Sequence, residues 1–294
     1  MSHTLRFYYP LPRFPSVSVT GLRCELMCAH CKAHYLGHMP DVSTPEKLKN
    51  FCVEHDRGGG VGLLVSGGST PEGRVPLKRF LPTLTWVKEN TGLILNLHTG
   101  MLDICEAEEV ASTGADIVSV DVVGSEETLR DVYGLKASVE EYGDTLINLI
   151  DAGAASVAPH ICVGLHFGEL KGEYRALEQS LSIEPEVIVF LGLIPTADTP
   201  MSGVEPPAVD EIIGLIEESK RLSPSTDVSL GRMRSRGYKT ELEWRAIEAG
   251  ADRVALASRS TESRALEEGY RVKRFDGCCA TPRALEERVA SLRL

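Results

Sequence analysis

No stretch of the 294-residue chain approaches the ~20 uninterrupted apolar residues that a membrane helix needs, so no membrane partner is expected. No apolar core follows the first residues, Met1-Ser2-His3-Thr4-Leu5-Arg6, so no secretory signal is read there and a cytoplasmic setting is expected. Positive charge is in deficit: 31 Lys and Arg stand against 42 Asp and Glu, a formal net charge of -11. That balance argues against a nucleic-acid partner, because nonspecific binding relies on basic groups neutralising phosphates. Eight cysteines are too few at this length for a disulfide scaffold and point instead to metal or core roles. Nor does any linker, low-complexity tract or charge block divide the chain.

What is present is an ordinary apolar fraction of 43%, arranged as a repeat of strand and helix signals. Beginning at Val17, strands are read at Val61 to Val65, Leu93 to Leu97, Ile117 to Val123, Val157 to Leu165, Val187 to Ile194, Asp227 to Leu230 and Arg253 to Ala257. Amphipathic segments lie between them. One is capped by Ser43 with Glu46 and buries Leu48, Phe51 and Cys52; a second runs from Ser138 to Ile150 with Leu146, Leu149 and Ile150 on its apolar side; a third opens on the capping box Thr240-x-x-Glu243. Cys105, in a helix beginning near Asp103, is read as a core residue. Three junctions share one pattern, Gly114-Ala115, Gly153-Ala154 and Gly250-Ala251, each a helix end followed by a strand. Glycine there permits the left-handed turn that sends the chain into the next strand. Continuous apolar strands alternating with helices require a parallel sheet buried on both faces. The expected fold is an α/β (β/α)8 TIM-type barrel over residues 1–258, with a partial (β/α)6 barrel as the alternative, followed by a C-terminal extension over 259–294. Functional residues should lie at strand C-termini.

The first of these C-termini carries Cys24-Glu25-Leu26-Met27-Cys28-Ala29-His30-Cys31, three cysteines at CxxxCxxC spacing. Three thiolates on one loop can hold three corners of a cubane iron–sulfur cluster, leaving one iron without a protein ligand. A Cys3His zinc site is the alternative, with His30, His34 and His38 close by in sequence. The second strand ends in Ser66-Gly67-Gly68-Ser69, where paired glycines let backbone approach a ligand. Asp121 interrupts an apolar strand, and an acid there needs hydrogen-bond donors. Cys278 and Cys279 sit in a polar, turn-rich stretch, poor core material and candidates for a second cluster or a redox pair.

The cysteine spacing and its place after a first strand resemble the signature of the radical S-adenosylmethionine (SAM) enzymes. The resemblance implies a [4Fe–4S] cluster on Cys24, Cys28 and Cys31, with SAM chelating the open iron and giving up a 5′-deoxyadenosyl radical on reduction. It further implies SAM contacts from His30, from Ser66, Gly67, Gly68 and Ser69, from Asp121 toward the ribose, from Gly164 and Leu165 in the GxxxGE stretch, and from Ile194 and Pro195. Arg6-Phe7-Tyr8-Tyr9-Pro10, Gly73-Arg74-Val75-Pro76-Leu77, His98-Thr99-Gly100 and Pro159-His160 look like the biotin-synthase-like group that includes two-subunit lipoyl synthases. Cys162 and Arg232 match ligands of the second cluster of biotin synthase, while Ser66 and the stretch Leu95-Asn96-Leu97-His98 stand where that enzyme has cysteines. The resemblance implies sulfur insertion into an unactivated C–H bond of an octanoylated carrier protein, a lipoyl domain or glycine-cleavage H protein. A partner radical SAM subunit and an electron donor such as ferredoxin or flavodoxin are implied with it. Biotin-synthase-like sulfur transfer to a small molecule is the alternative, and a barrel with a structural zinc is the alternative of another class. The basic stretch Arg232, Arg234, Arg236 and Lys239 is read either as a contact for an acidic partner or as a solvated loop.

Overall fold

The computed structural model describes residues 4–291. Ten strands form one parallel sheet in the order β10-β1-β9-β8-β7-β6-β5-β4-β3-β2. They are β1 (Thr4–Tyr8), β2 (Ser16–Ser18), β3 (Gly62–Ser66), β4 (Ile94–His98), β5 (Ile117–Asp121), β6 (Val157–Val163), β7 (Val187–Gly192), β8 (Asp227–Leu230), β9 (Arg253–Ala255) and β10 (Arg271–Phe275). The connecting helices are α1 (Pro45–Arg57), α2 (Leu81–Asn90), α3 (Ile104–Ala111), α4 (Glu126–Thr128), α5 (Glu140–Asp151), α6 (Glu173–Leu181), α7 (Val209–Leu222), α8 (Lys239–Glu248) and α9 (Arg259–Glu267). This is the α/β barrel architecture expected, as a curled sheet whose end strands are β10 and β2.

Strand pleating sorts the apolar residues into two layers. On β4, Leu95 and Leu97 pack outward with the helices, while Ile94 faces inward; on β7, Ile188 and Phe190 pack outward and Val187 and Val189 inward. The inner layer also holds Tyr8, Phe14, Phe275, Cys279, Ala280 and Val289, so the segment after β10 turns back into the lumen and fills part of it. The repeated junction glycines sit in the left-handed region, with φ of 72° at Gly114, 77° at Gly153 and 105° at Gly250.

Several expectations need correction. The residues expected to form an extension beyond the last strand add β10 to the sheet beside β1, and the following tail enters the barrel. β10 escapes a sequence reading because an edge strand such as Arg271-Val272-Lys273-Arg274-Phe275 needs only partial burial and carries charge. Thr44, not Ser43, caps α1, its hydroxyl accepting from Lys47 N. The Thr240–Glu243 capping box does not form: α8 begins one residue earlier and Glu243 points inward to Arg234. Ile150 is exposed, and Cys105 is exposed in the first turn of α3, whereas Cys52 is wholly buried in the core, where burial pushes its thiol up to about 12.

Candidate active site

A cavity of about 420 Å³ opens inside the curl of the sheet. Its wall includes Cys24, Cys28, His30, Cys31, Ser66, Gly67, Gly68, Ser69, Asp121, Cys162, Leu165, Ile194, Arg232, Cys278 and Cys279. Fifteen of the seventeen residues singled out from the sequence thus meet on one surface; Gly164 and Pro195 lie outside its lining.

The cysteine loop is pinned on several sides. Glu25 N donates to Ser69 O at 2.8 Å, Ala29 N to Val132 O at 2.7 Å, and the Tyr35 and Thr196 hydroxyls meet at 2.8 Å. Gly68 N donates to Thr20 Oγ1 at 2.7 Å, and Ser69 N reaches Cys24 Sγ at 3.4 Å. The paired glycines explain how these two loops come so close. A Cβ on Gly68 would lie 2.0 Å from Arg23 O and 2.6 Å from both Cys24 Cα and Cys24 Cβ.

Within the loop, Cys28 and Cys31 share a hydrogen bond that divides their acidities. Cys31 is held down to about 4 by the bond from Cys28 and by His30, while Cys28 is pushed up by that same bond and by burial. One thiol of the pair is therefore ready to ligate as the thiolate. His30 stacks edge-on against Tyr133 at 5.5 Å, and its buried Nδ1 has no hydrogen-bond partner.

Among the described residues, no three His, Cys, Asp or Glu side chains converge on one metal ion. Three thiolates on one loop can serve a cubane cluster, each binding its own iron. The three thiols, the N–H directed at Cys24 sulfur, the glycine cradle and the orphaned imidazole nitrogen together fit such a cluster with a ligand beside it.

Below the loop the inward positions of β4, β5 and β6 are polar in pairs, Asn96 and His98, Ser119 and Asp121, His160 and Cys162. Asp121 is exposed to the cavity and not buried, and its Oδ1 lies 3.6 Å from His98 Nε2. The His98 and His160 rings meet edge-on at 5.7 Å. His160 is lowered to about 4 by burial and by His98, and its Nδ1 pairs with Ala158 O at 2.9 Å. A carbonyl only accepts, so Nδ1 carries the proton of this neutral ring and Nε2 keeps its lone pair. Cys162 is pushed up by burial.

Asn96, His98, Ser119 and His160 were not singled out as site residues. The signal was available: polar residues two apart in apolar strands share one face.

Two motif readings change. Glu169 of the GxxxGE stretch is exposed, and the acid that holds this turn is the buried Glu173, which accepts from Gly164 N at 2.9 Å and from Lys171 N at 2.5 Å. Burial raises the pKa of Glu173. The basic stretch splits apart. Arg234 is buried against Glu243 at 2.5 Å and Lys239 lies 3.6 Å from the same carboxylate, which leaves Arg232 at the cavity and Arg236 exposed.

On the far side, Cys278 and Cys279 are hydrogen-bonded to each other. That bond and the nearby Ser229 hydroxyl lower Cys279 to about 7, with Arg253 adding to the effect.

No family model matches the chain. It is 29% identical over 187 residues to the biotin synthase of Alkalilimnicola ehrlichii, covering 62% of this chain and 55% of that protein. It is 27% identical over 280 residues to the biotin synthase of Halorhodospira halophila, covering 91% and 83%. Among solved structures it superposes on HydG, a maturase of the [FeFe]-hydrogenase, with a TM-score of 0.68 and 14% identity, over 98% of this chain and 67% of that one. Methylornithine synthase (PylB) gives a TM-score of 0.61 and 16% identity, over 93% and 84%. The fold sets a loop with three cysteines against the cavity of an α/β barrel. In sequence the chain is thus similar to biotin synthases, and in fold to HydG and PylB.

The finer resemblance to a lipoyl synthase subunit has no counterpart among these matches. Among the described residues no helix is long and apolar enough to cross a membrane.

Proposed function

We propose that the protein is a radical SAM enzyme that inserts sulfur into an unactivated C–H bond, with an octanoyl-lysyl carrier protein as substrate, as one subunit of a lipoyl synthase. The observation that carries this reading is the placement of two thiol sets on one cavity, Cys24, Cys28 and Cys31 in one loop and Cys278 and Cys279 in the tail. Bound at the first set, a [4Fe–4S] cluster with SAM supplies a carbon-centred radical able to abstract hydrogen.

The chain's own residues do the rest. Ser69 N donates to Cys24 sulfur, and hydrogen bonds to the sulfurs help set a cluster's potential. Asp121 and His98 present a carboxylate and an imidazole to a polar ligand such as a ribose. Leu64, Val189, Leu191, Leu193 and Ile194 give an apolar wall along which an acyl chain lies away from water. Cys278 and Cys279, with Cys162 and Arg232 as further donors, would hold an auxiliary iron–sulfur cluster, which would be the source of the sulfur. The carrier, the partner subunit and a ferredoxin- or flavodoxin-type donor belong to this proposal.

The test is reaction of anaerobically reconstituted protein with SAM, dithionite and an octanoyl-lysyl peptide, with and without a partner subunit. Thiolated peptide is the expected product; 5′-deoxyadenosine without thiolated peptide under either condition removes the lipoyl assignment. The second reading, biotin-synthase-like sulfur transfer to a small molecule, is favoured by the polar wall of His98, Asp121 and His160 and by the biotin synthase relatives. It predicts thiolation of a polar small molecule carrying a short alkyl chain, with the peptide unchanged.

A further inference from the structure

The tail thiols are held by a frame of polar residues on opposite walls of the barrel. From β4, Asn96 Nδ2 donates to Cys278 Sγ at 3.6 Å, and Asn96 Oδ1 accepts the Ser119 hydroxyl at 2.9 Å, which fixes which end of the carboxamide faces the sulfur. From β9, Arg253 Nη1 donates to the carbonyls of Cys279 at 3.3 Å and Thr281 at 2.5 Å. Asn96, Ser119 and Arg253 are each at most 1% exposed.

An asparagine in an inward position among apolar strand residues is costly unless its amide is satisfied. A neutral thiol is a weak acceptor for that N–H. A sulfur bearing negative charge is a much better one, since hydrogen bonds to a charged acceptor are roughly twice as strong as neutral ones. The frame therefore matches a sulfur made anionic by binding a metal.

We infer that Asn96, oriented by Ser119, is the positioning residue of the Cys278–Cys279 pair, donating an N–H to Cys278 sulfur when that sulfur binds a metal centre. This deepens the auxiliary-cluster reading above and rests on it. The donor favours the more negative, reduced form of a centre held at Cys278, as outer-shell hydrogen bonds do for other metal sites.

The test uses full-length Cys24/Cys28/Cys31→Ala protein, anaerobically reconstituted with iron and sulfide, with and without Asn96→Asp or Ser119→Ala. Asn96→Asp keeps the shape and replaces the donor with an acceptor. If this background retains iron, Asn96→Asp lowers the midpoint potential of the residual centre and alters its EPR signal, and Ser119→Ala moves both the same way by less. Melting temperatures show whether each variant is folded. An unchanged potential and signal in folded Asn96→Asp protein overturns the inference.

If the background retains no iron, the auxiliary-cluster reading fails and the inference falls with it; retained iron with an unchanged potential and signal overturns the inference alone.

Discussion

Arg253 and Asp227, on neighbouring strands β9 and β8, pair wholly out of solvent, with Arg253 Nε and Nη2 donating to Asp227 Oδ2 at 2.9 and 2.7 Å. The same guanidinium reaches the carbonyls of Cys279 and Thr281, and Asp227 also receives Arg283 from the tail. One buried ion pair thus ties the last segment of the chain to the barrel wall and sets the depth at which the tail thiols meet the cavity.

Breaking this pair from one side leaves the buried guanidinium with only the more distant Glu186 and Glu286 carboxylates, each at 3.7 Å, at a cost of about 3–5 kcal/mol. Asp227→Asn is expected to lower stability by that amount in urea unfolding monitored by circular dichroism. A loss below about 1 kcal/mol, the range of an exposed pair, would contradict the burial argument.

The same carboxylate gives a pH dependence with a definite sign. Burial alone would raise the Asp227 pKa, but Arg283 and Arg253 outweigh it and the net shift is downward. A carboxyl lowered in the folded state contributes stability that is fully present above its unfolded value of about 3.9 and is lost as pH falls through the folded value. The stability difference between the native chain and Asp227→Asn should therefore be constant from neutral pH down to about pH 5 and shrink below about pH 4. Urea midpoints measured across that range decide it; a difference that grows on acidification would have the wrong sign.

Gly68 is where the β3 loop touches the cysteine loop. In Gly68→Ala the new methyl group meets Arg23 O and Cys24 backbone at 2.0 and 2.6 Å, so one of the loops must move. The expected outcome is loss of most cluster iron on reconstitution while the melting temperature falls only modestly. Full iron content in this variant would show that the two loops need not touch.

Glu243 is the buried acid that organises the β8 loop, accepting from Arg234 at 2.5 Å, Ser258 N at 2.8 Å and the Thr261 hydroxyl at 2.7 Å. Glu243→Leu strands the Arg234 guanidinium and is expected to cost about 3–5 kcal/mol, read by thermal unfolding. A mild change would return Arg234 to the solvated-loop reading.

Much of the fold was legible because fully buried parallel strands and their glycine junctions leave strong, repeated patterns, as at Gly114, Gly153 and Gly250. β1 and β10 were not counted as strands: β10 carries its charge on an edge, and the return of Cys279, Ala280 and Val289 into the lumen is a nonlocal event that no local pattern encodes. The site was legible where motif and strand end coincide, as at Cys24 to Cys31 and Ser66 to Ser69. It was less so where function rests on strand parity. Asn96, Ser119 and His160 are single polar residues in apolar runs, and only the sheet shows that they face one space. Charge patterning misled at Arg234 and Glu243, which are far apart on the surface reading but share one buried contact.

The central claim is that Cys24, Cys28 and Cys31 hold a cluster that cleaves SAM reductively. Its most direct test is the yield of 5′-deoxyadenosine from anaerobically reconstituted protein given SAM and dithionite, measured beside the Cys24/Cys28/Cys31→Ala variant. The account predicts iron and sulfide in the native protein and 5′-deoxyadenosine that disappears in the variant. Stoichiometric zinc without iron, and no 5′-deoxyadenosine from the native chain, would contradict it.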